Sequence, residues 1–280
     1  MKQKKIVVAD SGSTKTDWLF LVDGQKVNEL HGQGLNPCLM KREEIIEVLQ
    51  REAGNCKDFL CADALFFYGA GCRGEKLKVM EEALGITLHP SKLEVQSDLL
   101  GAARAVCGSE DGVACILGTG SNSCLFLQGE IKANVPSLGY ILGDEGGGAA
   151  LGKRLLSDLW KKQLPSDVQA LFYETYKLTT DQLVHRVYNE NFPNRFLGSF
   201  VPFLSTHRTH PALANLLREE FSRFVCRNVL PYEPTHLQIH FVGSVACLFR
   251  EELRQVLASH NLSIGKVIAK PIEGLAAFHS

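Results

Sequence analysis

The first hundred residues alternate between two periods of hydrophobic positions, one typical of strands and the other of helices. Apolar runs at 6–9 and 18–22, followed by an Asp-Gly turn into 26–30, predict an antiparallel meander of three short strands. The segment E-E-I-I-E-V-L-Q that follows has helical spacing. The alternation continues with strands at A-L-F-F-Y-G and 93–96 and helices at 77–84 and 99–107. The pattern predicts an α/β protein.

A second run of the same kind begins at Gly112. The stretch G-V-A-C-I-L-G-T-G-S-N-S-C-L-F-L-Q-G-E repeats the order of residues 6–24, namely apolar strand, turn of small residues, apolar strand, and glycine turn beside an acid. Two such openings indicate an internal duplication, so we predict domains at 1–108 and 109–280. The second domain is expected to carry a helical insertion at about 149–232. It closes with a strand at 237–242, a helix at 247–258, a strand at 266–269 and a terminal helix expected to pack back on the first domain.

The amino-acid composition limits the kinds of molecule that the protein is expected to bind. The 280 residues include 30 basic and 31 acidic side chains, so no global field attracts nucleic acid or a membrane surface, and a small molecule is the expected ligand. The apolar run after the basic start is too short for a signal peptide, and no stretch approaches the roughly 18 apolar residues of a membrane helix. The nine cysteines are scattered and never form a C-x-x-C pair, which favours a reducing cytoplasm.

The two turns of small residues are candidate phosphate-binding sites. In V-A-D-S-G-S-T-K-T-D, the glycine allows the backbone to approach a phosphate closely, and the hydroxyls and the lysine add hydrogen-bond donors. Asp10, at the end of the strand, is a candidate to face a metal ion. A polar hairpin turn is the alternative. The second turn, L-G-T-G-S-N, has the same arrangement, and two matching turns favour a nucleotide held from both domains. The candidates are Gly12, Ser13, Thr14 and Lys15 in the first turn and Gly118, Thr119, Gly120 and Ser121 in the second.

Three further segments carry polar groups at places suited to chemistry. Asp98 follows a strand and begins a helix, where it is either an N-cap or, if Ser97 is the cap, a free general base. The glycine-rich L-G-D-E-G-G-G places Asp144 and Glu145 before a helix, as ligands of sugar hydroxyls or a metal, or as acids at a helix N-terminus. In F-V-G-S-V-A, Gly243 and Ser244 allow a ring or phosphate to approach the backbone, or form an ordinary tight turn.

Taken together, these motifs resemble the actin, hsp70 and sugar-kinase superfamily of ATPases, and within it the N-acetylglucosamine kinase-like proteins of the BadF/BadG/BcrA/BcrD ATPase family. The resemblance spans nearly the whole chain. Its motifs are A-D-S-G-S-T-K-T-D-W, Q-S-D-L-L-G-A, L-G-T-G-S-N, L-G-D-E-G-G and F-V-G-S-V-A, in family order. It implies an α/β, two-lobed actin-like ATPase (ribonuclease H-like) fold with duplicated domains and a cleft between them.

The resemblance also implies roles for individual residues, with ATP and Mg²⁺ as cofactors. Asp10 would organise Mg²⁺ through water, and the two turns would face the phosphates. Asp98 would take the proton of a sugar hydroxyl as it attacks the γ-phosphate. Asn36 and Asn122 would line the sugar pocket, and Asp144 and Glu145 would bind the sugar hydroxyls or the metal. Gly243 and Ser244 would flank the adenosine. Homodimers are common in this family.

Two positions depart from the family pattern. Ser11 stands where the first motif usually has glycine, which would add a side chain near the phosphates. Tyr140 follows Gly139 where the mammalian amino-sugar kinase has tryptophan, which weakens the transfer of N-acetylglucosamine specificity. The leading hypothesis is an ATP-dependent kinase of an amino sugar, N-acetylglucosamine or glucosamine. The alternatives are an ATPase that activates a partner redox enzyme and a sugar or nucleotide sensor without turnover.

Overall fold

The computed structural model describes residues 3–12, 14–56, 58–59 and 62–280. Its strands are β1 (Lys5–Ser11), β2 (Lys15–Val22), β3 (Gln25–Gln33), β4 (Ala64–Gly69), β5 (Lys92–Ser97), β6 (Gly112–Leu117), β7 (Ser121–Leu127), β8 (Glu130–Ala133), β9 (Gln238–Val242) and β10 (Ser263–Ile268). Its helices are α1 (Arg42–Asn55), α2 (Glu75–Leu88), α3 (Asp98–Cys107), α4 (Gly139–Leu142), α5 (Gly148–Trp160), α6 (Ser166–Tyr176), α7 (Thr180–Tyr188), α8 (Pro193–Gly198), α9 (Val201–Thr206), α10 (Pro211–Phe224), α11 (Ser244–Leu248), α12 (Arg250–Ser259) and α13 (Ile272–His279).

The chain divides into two compact units. Unit 1 contains residues 1–110, 128–130 and 270–280, and unit 2 contains 111–127 and 131–269. The sheet of unit 1 has the strand order β3-β2-β1-β4-β5, in which β1 pairs antiparallel with β2 and parallel with β4. Asp23 and Gly24 both have positive φ in the turn between β2 and β3, as the Asp-Gly pair predicted.

The second sheet repeats this topology. Its order, β8-β7-β6-β9-β10, corresponds strand for strand to that of unit 1, and β6 likewise pairs antiparallel with β7 and parallel with β9. The predicted α/β class and the duplication of an actin-like sheet are therefore confirmed. The duplication also puts the turn after β6 in the same topological place as the turn after β1.

Each sheet is covered by its own hydrophobic core. In unit 1, α1 and α2 pack on one face of the sheet, where Trp18, Phe59 and Phe67 are in contact. Ile272 and Leu275 of α13 pack against strand residues on the other face. In unit 2, the helices between 148 and 224 pack with β6 and β9 in one large cluster, in which Phe172 contacts Phe200 and Phe203.

Most predicted elements are present, and the differences have local causes. The helix predicted at 247–258 is two helices, α11 and α12, because the buried Phe249 interrupts the helical backbone between them. The short strand β8 and the single turn α4 were not predicted. None of the described helices is long and apolar enough to cross a bilayer.

Candidate functional site

The turn between β1 and β2 is fixed at its base and open at its tip. The N–H of Gly12 donates to the carbonyl of Lys15 at 3.0 Å, and the carbonyl of Thr14 accepts the N–H of Gly34 at 3.0 Å. Gly12, Thr14 and Lys15 are exposed, and Ser13 lies outside the described residues. A closed turn with accessible backbone and a nearby ammonium group is the arrangement that binds phosphate oxygens.

Ser11 does not add a side chain to the exposed tip of this turn. Its hydroxyl is fully buried, 2.7 Å from Thr16 Oγ1, and it accepts the N–H of Leu35 at 2.9 Å. Side chains alternate along a strand, so Ser11 lies on the sheet face opposite to Asp10. The expectation from the sequence is corrected here, because the hydroxyl ties the turn to the loop after β3.

Asp10 and Asp98 lie near the carboxyl ends of the parallel strands β1 and β5. Burial, the charge of Asp98 and the charge of Asp17 raise the pKa of Asp10 to about 7. Burial also raises the pKa of Asp98 above its ordinary value. Ligands of open α/β sheets bind at the carboxyl ends of parallel strands, so these two poorly solvated acids occupy the expected place for a site.

Ser97, and not Asp98, is the N-cap of α3. The Ser97 hydroxyl accepts the N–H of Leu100 at 3.2 Å, whereas Asp98 Oδ1 accepts the N–H of its neighbour Leu99 at 2.9 Å. The helix therefore has the cap that the functional interpretation of Asp98 requires. Its role as a base stays a prediction.

The acids of unit 1 suit a hydrated magnesium ion. Among the described residues, no three or more histidine, cysteine, aspartate or glutamate side chains converge as a preformed metal site. Mg²⁺ usually keeps several waters and is held by one or two carboxylates together with substrate phosphates, so a single carboxylate is sufficient. Asp10 fits this role, because a nearby cation would offset the burial and the two acids that oppose its ionisation.

Asn36 and Asp98 border the same buried corner of unit 1. Asn36 is buried and its Oδ1 accepts the N–H of Cys38 at 2.9 Å. Gly71 has positive φ, and the backbone of Gly71 passes so close to Asn36 that a Cβ at position 71 would lie 2.2 Å from Asn36 Oδ1. Burial, then the charges of Asp98 and Cys38, raise the pKa of Cys72 to about 12. The predicted sugar-binding asparagine and the predicted base are thus brought together around residues 71–72.

The matching turn of unit 2 is bound to the start of α5. The N–H of Gly118 donates to the carbonyl of Gly120 at 3.0 Å, and the carbonyls of Gly118 and Thr119 accept the N–H groups of Gly148 and Ala149, both at 2.8 Å. Thr119 is exposed and Ser121 is buried. The four residues predicted from L-G-T-G-S-N therefore form one ordered turn.

Asp144 packs against this second turn. Its Oδ1 accepts the N–H of Ser121 at 3.1 Å, and a Cβ on Gly120 would lie 2.7 Å from its Oδ2. Burial raises the pKa of Asp144. The L-G-D-E-G loop thus supports the phosphate turn of its own unit, and contact of Asp144 with sugar stays a prediction.

Glu145 points to a different neighbour. Its Oε1 is 2.5 Å from Nε of Arg227, and its Oε2 accepts from the Asn228 amide at 3.3 Å. Burial acts to raise the pKa of Glu145, but its own backbone N–H, the Asn228 amide and the Arg227 charge hold it below the ordinary value. Both partners lie on a π-helical turn at 225–229, and no local pattern in the sequence indicated this pairing.

Gly243 is required by a close backbone contact. Its φ is 127°, and a Cβ on it would lie 2.2 Å from the carbonyl oxygen of Leu117. Its N–H donates to the carbonyl of Ile268 at 2.9 Å, and the exposed Ser244 begins α11. Gly243 thereby brings the start of α11 against the end of β6. A role of Gly243 and Ser244 at adenosine stays a prediction.

Asn122, the second asparagine predicted to contact sugar, is held within unit 2. Its Oδ1 accepts the N–H of Ser123 at 2.9 Å and the amide of Asn134 at 3.0 Å. These bonds fix the orientation of its side-chain amide, so that the Oδ1 atom faces its neighbours.

A charged cluster beside Asp10 was not singled out from the sequence. The buried Asp17, on β2, is the cross-strand neighbour of Asp10 on β1 and of His31 on β3. The Nδ1 atom of His31 is 2.7 Å from Oδ1 of Asp17. Nζ of Lys270 and Nζ of Lys15 lie 3.1 Å and 3.5 Å from Oδ2 of Asp17. An acid within the apolar strand K-T-D-W-L-F-L-V was a detectable signal for Asp17. Lys270 had no local signal, because the fold alone brings it to β2.

No protein-family model and no curated protein matches the chain. Among solved structures, a proposed N-acetylglucosamine kinase from Porphyromonas gingivalis is 45% identical, with 98% of each chain covered and a TM-score of 0.93. A proposed N-acetylglucosamine kinase from Chromobacterium violaceum is 15% identical, with 99% of each chain covered and a TM-score of 0.75. A ROK family glucokinase from Streptomyces griseus, in complex with glucose and AMPPNP, shares the fold at 11% identity, covering 99% of this chain and 98% of its own, with a TM-score of 0.58.

Proposed function

The chain belongs to the N-acetylglucosamine kinase-like family, and from this premise we propose that it is an ATP-dependent kinase of an amino sugar, N-acetylglucosamine or glucosamine. Support for the substrate class comes from the Porphyromonas gingivalis relative, which matches over 98% of each chain. We place the enzyme in the cytoplasm, because its nine cysteines are scattered along the sequence and never form a C-x-x-C pair. A small-molecule sugar is the partner we propose.

The observation that carries the proposal is the pair of acids Asp10 and Asp98. Asp98 stands at the first residue of α3 with Ser97 as the cap, and its charge acts on Asp10 at the end of β1. A sugar kinase needs one carboxylate for the nucleotide's metal and another for the acceptor hydroxyl. We assign these roles to Asp10 and Asp98 in that order.

The transfer would proceed as an in-line displacement. The hydroxyl oxygen of the sugar forms a bond to the γ-phosphorus while the bond between that phosphorus and the β–γ bridging oxygen breaks, which releases ADP. Asp98 accepts the hydroxyl proton. Burial raises the pKa of Asp98 and makes it a stronger base, provided that it is ionised at the working pH.

The remaining residues would position the reactants. We assign the phosphates to the backbone and side chains of Gly12, Thr14 and Lys15, and to the turn 118–121. We assign Asn36 to orient the sugar next to Asp98, and their shared neighbours Gly71 and Cys72 support this assignment. A magnesium ion held by Asp10 would neutralise charge on the phosphates.

The first test is release of ADP from MgATP, measured without acceptor and then with N-acetylglucosamine, glucosamine, N-acetylmuramic acid and glucose in turn. We expect release to rise sharply with one amino sugar, which would identify the substrate. Slow release that is the same with every sugar would contradict the kinase assignment and favour the partner-activating ATPase.

The second test is the Asp98→Asn variant. We expect sugar-dependent turnover to fall by about a hundredfold to ten-thousandfold, the usual loss for a general base, with little change in folding. The matched control is Asp167→Asn, because Asp167 in α6 also accepts the N–H of the next residue at 2.9 Å. If Asp98→Asn retains full turnover, the assigned base is wrong.

A further inference from the structure

We propose that Lys270 is a second phosphate-binding cation beside Lys15, and that the buried Asp17 positions both ammonium groups. The inference rests on the proposed function, because the ligand that it names is the triphosphate of ATP. Lys270 would then be a residue that contacts substrate, although it lies 253 positions after Asp17 in the chain.

The geometry joins the two lysines at one atom. Nζ of Lys270 lies 3.1 Å from Asp17 Oδ2, and Nζ of Lys15 lies 3.5 Å from the same oxygen. The Asp17 side chain is only 5% exposed, whereas those of Lys15 and Lys270 are 59% and 48% exposed. A buried carboxylate thus anchors two ammonium groups whose other hydrogens face solvent. Each ammonium has three donors, so binding to Asp17 leaves donors for a ligand.

Lys15 and Lys270 face two carboxylates, Asp17 in direct contact and Asp10 through its charge at longer range. The two lysines both contact the Asp17 carboxylate, and the ring Nδ1 of His31 is the third nitrogen that contacts it. Glu29 acts on Lys270 from farther away, but Glu29 is itself paired with Lys26 at 2.6 Å. Lys15 begins β2 and Lys270 lies beside that strand, so both ammonium groups are at the base of the turn proposed to bind phosphates. Lysine binds phosphate as a point charge, and paired cations stabilise the charge of a transferring phosphoryl group.

A purely structural role explains the cluster less well. Lys270 precedes α13, but that helix is anchored to unit 1 by the buried Ile272 and Leu275. A half-exposed ion pair adds little stability, so Lys270 is not needed to hold the helix in place. A role in binding an anion accounts for the convergence of two lysines on a single carboxylate oxygen.

The test compares Lys270→Ala with the wild type in steady-state kinetics. We expect KM for MgATP to rise about tenfold or more, while KM for the sugar and kcat change less than about threefold, since one lost phosphate contact weakens binding by about that factor. Direct calorimetric titration with Mg-AMPPNP, and separately with inorganic tripolyphosphate, should show the same loss of affinity. Lys270→Arg should recover most of it, because the charge is kept.

The matched control is Lys26→Ala, which removes ion pairs to Glu29 and Glu273 in the same unit and leaves Asp17 untouched. It should leave all these constants unchanged. Asp17→Asn should weaken tripolyphosphate binding. The variant that combines Asp17→Asn with Lys270→Ala should lose less binding free energy than the sum of the losses in the two single variants. Equal effects of Lys26→Ala and Lys270→Ala, or unchanged tripolyphosphate binding in Lys270→Ala, would overturn the inference. A wild type that binds tripolyphosphate but phosphorylates no sugar would instead contradict the proposed function.

Discussion

Asp10 must satisfy two opposing conditions, since it must be ionised to attract a cation and it lies where ionisation is costly. Burial and the charges of Asp98 and Asp17 raise its pKa to about 7. Between its ordinary pKa and this value, the folded chain binds a proton that the unfolded chain has lost. The free energy of unfolding therefore decreases as the pH rises through this window.

Asp10→Asn should remove this dependence. At about 1.4 kcal/mol for each pKa unit, the rise from 3.8 to about 7 sets an upper limit of about 4 kcal/mol on the gain at pH 8. We expect the Tm of Asp10→Asn to exceed that of the wild type clearly at pH 8 and by less than half as much at pH 5, by calorimetry without nucleotide or metal. The exposed Asp181→Asn is the control. A difference in Tm that does not grow with pH would show that Asp10 ionises without penalty.

The sequence predicted candidate site residues only where they belong to short motifs, and it did not predict the residues that contact them in the fold. The turns at 12–15 and 118–121 and the acid after Ser97 follow from local patterns of small and polar residues. The pairing of Glu145 with Arg227 could not be predicted, because adjacent acids in one loop turn to different neighbours only in the folded chain. Lys270 was missed for the same reason. Long-range ion pairs leave no periodic signal.

Among the elements, strands were easier to predict than the breaks between helices. The apolar run at 18–22 marked β2, although the structure extends that strand to Lys15 through polar residues held by the strand pairing. The continuous pattern at 247–258 hid the break at Phe249, since a buried aromatic residue satisfies the helical spacing whether or not the helix continues. Hydrophobic periodicity reports which face is buried and not where the backbone bends.

The last helix, α13, is attached through a polar contact at its end. His279 stacks on Phe66 at 3.6 Å between ring centroids, and its Nε2 is 2.7 Å from the hydroxyl of Tyr68. Arg104 donates to the same hydroxyl at 2.7 Å, so Tyr68 must donate its proton to a neutral His279. Burial is the main cause that lowers the pKa of His279 to about 4.

His279→Ala should therefore destabilise the protein by about 1–3 kcal/mol at pH 7.5, through the lost hydrogen bond and the lost ring contact. Because the folded pKa lies below the ordinary 6.5, stability from neutral His279 declines as the pH falls from 6.5 toward 4. The difference between variant and wild type should accordingly shrink at pH 5, as measured by urea unfolding. His236→Ala, at an exposed position, is the control. Equal differences at both pH values would contradict the buried, neutral state of His279.

At the scale of the whole molecule, the repeated topology bears on the proposed function. The turns after β1 and β6 occupy equivalent places in two sheets of the same strand order, and each turn is closed by its own backbone hydrogen bonds. The proposed function assigns phosphate binding to each of these turns. If the second sheet has only a structural role, one of the two turns would bind no ligand.

Hydrogen exchange followed by mass spectrometry distinguishes these cases. Adding Mg-AMPPNP should slow exchange in peptides that cover 10–16 and 117–121 together, because both backbones would become ordered against phosphate oxygens. The helix α7 at 180–188, which lies outside both turns, should exchange at an unchanged rate and serves as the internal control. In Lys270→Ala, protection at a given subsaturating nucleotide concentration should fall in both turns by the same fraction, since weaker binding lowers occupancy everywhere. Protection confined to 10–16 would mean that the second turn is retained for its contacts with α5 alone, and the assignment of 118–121 to phosphate would have to be withdrawn.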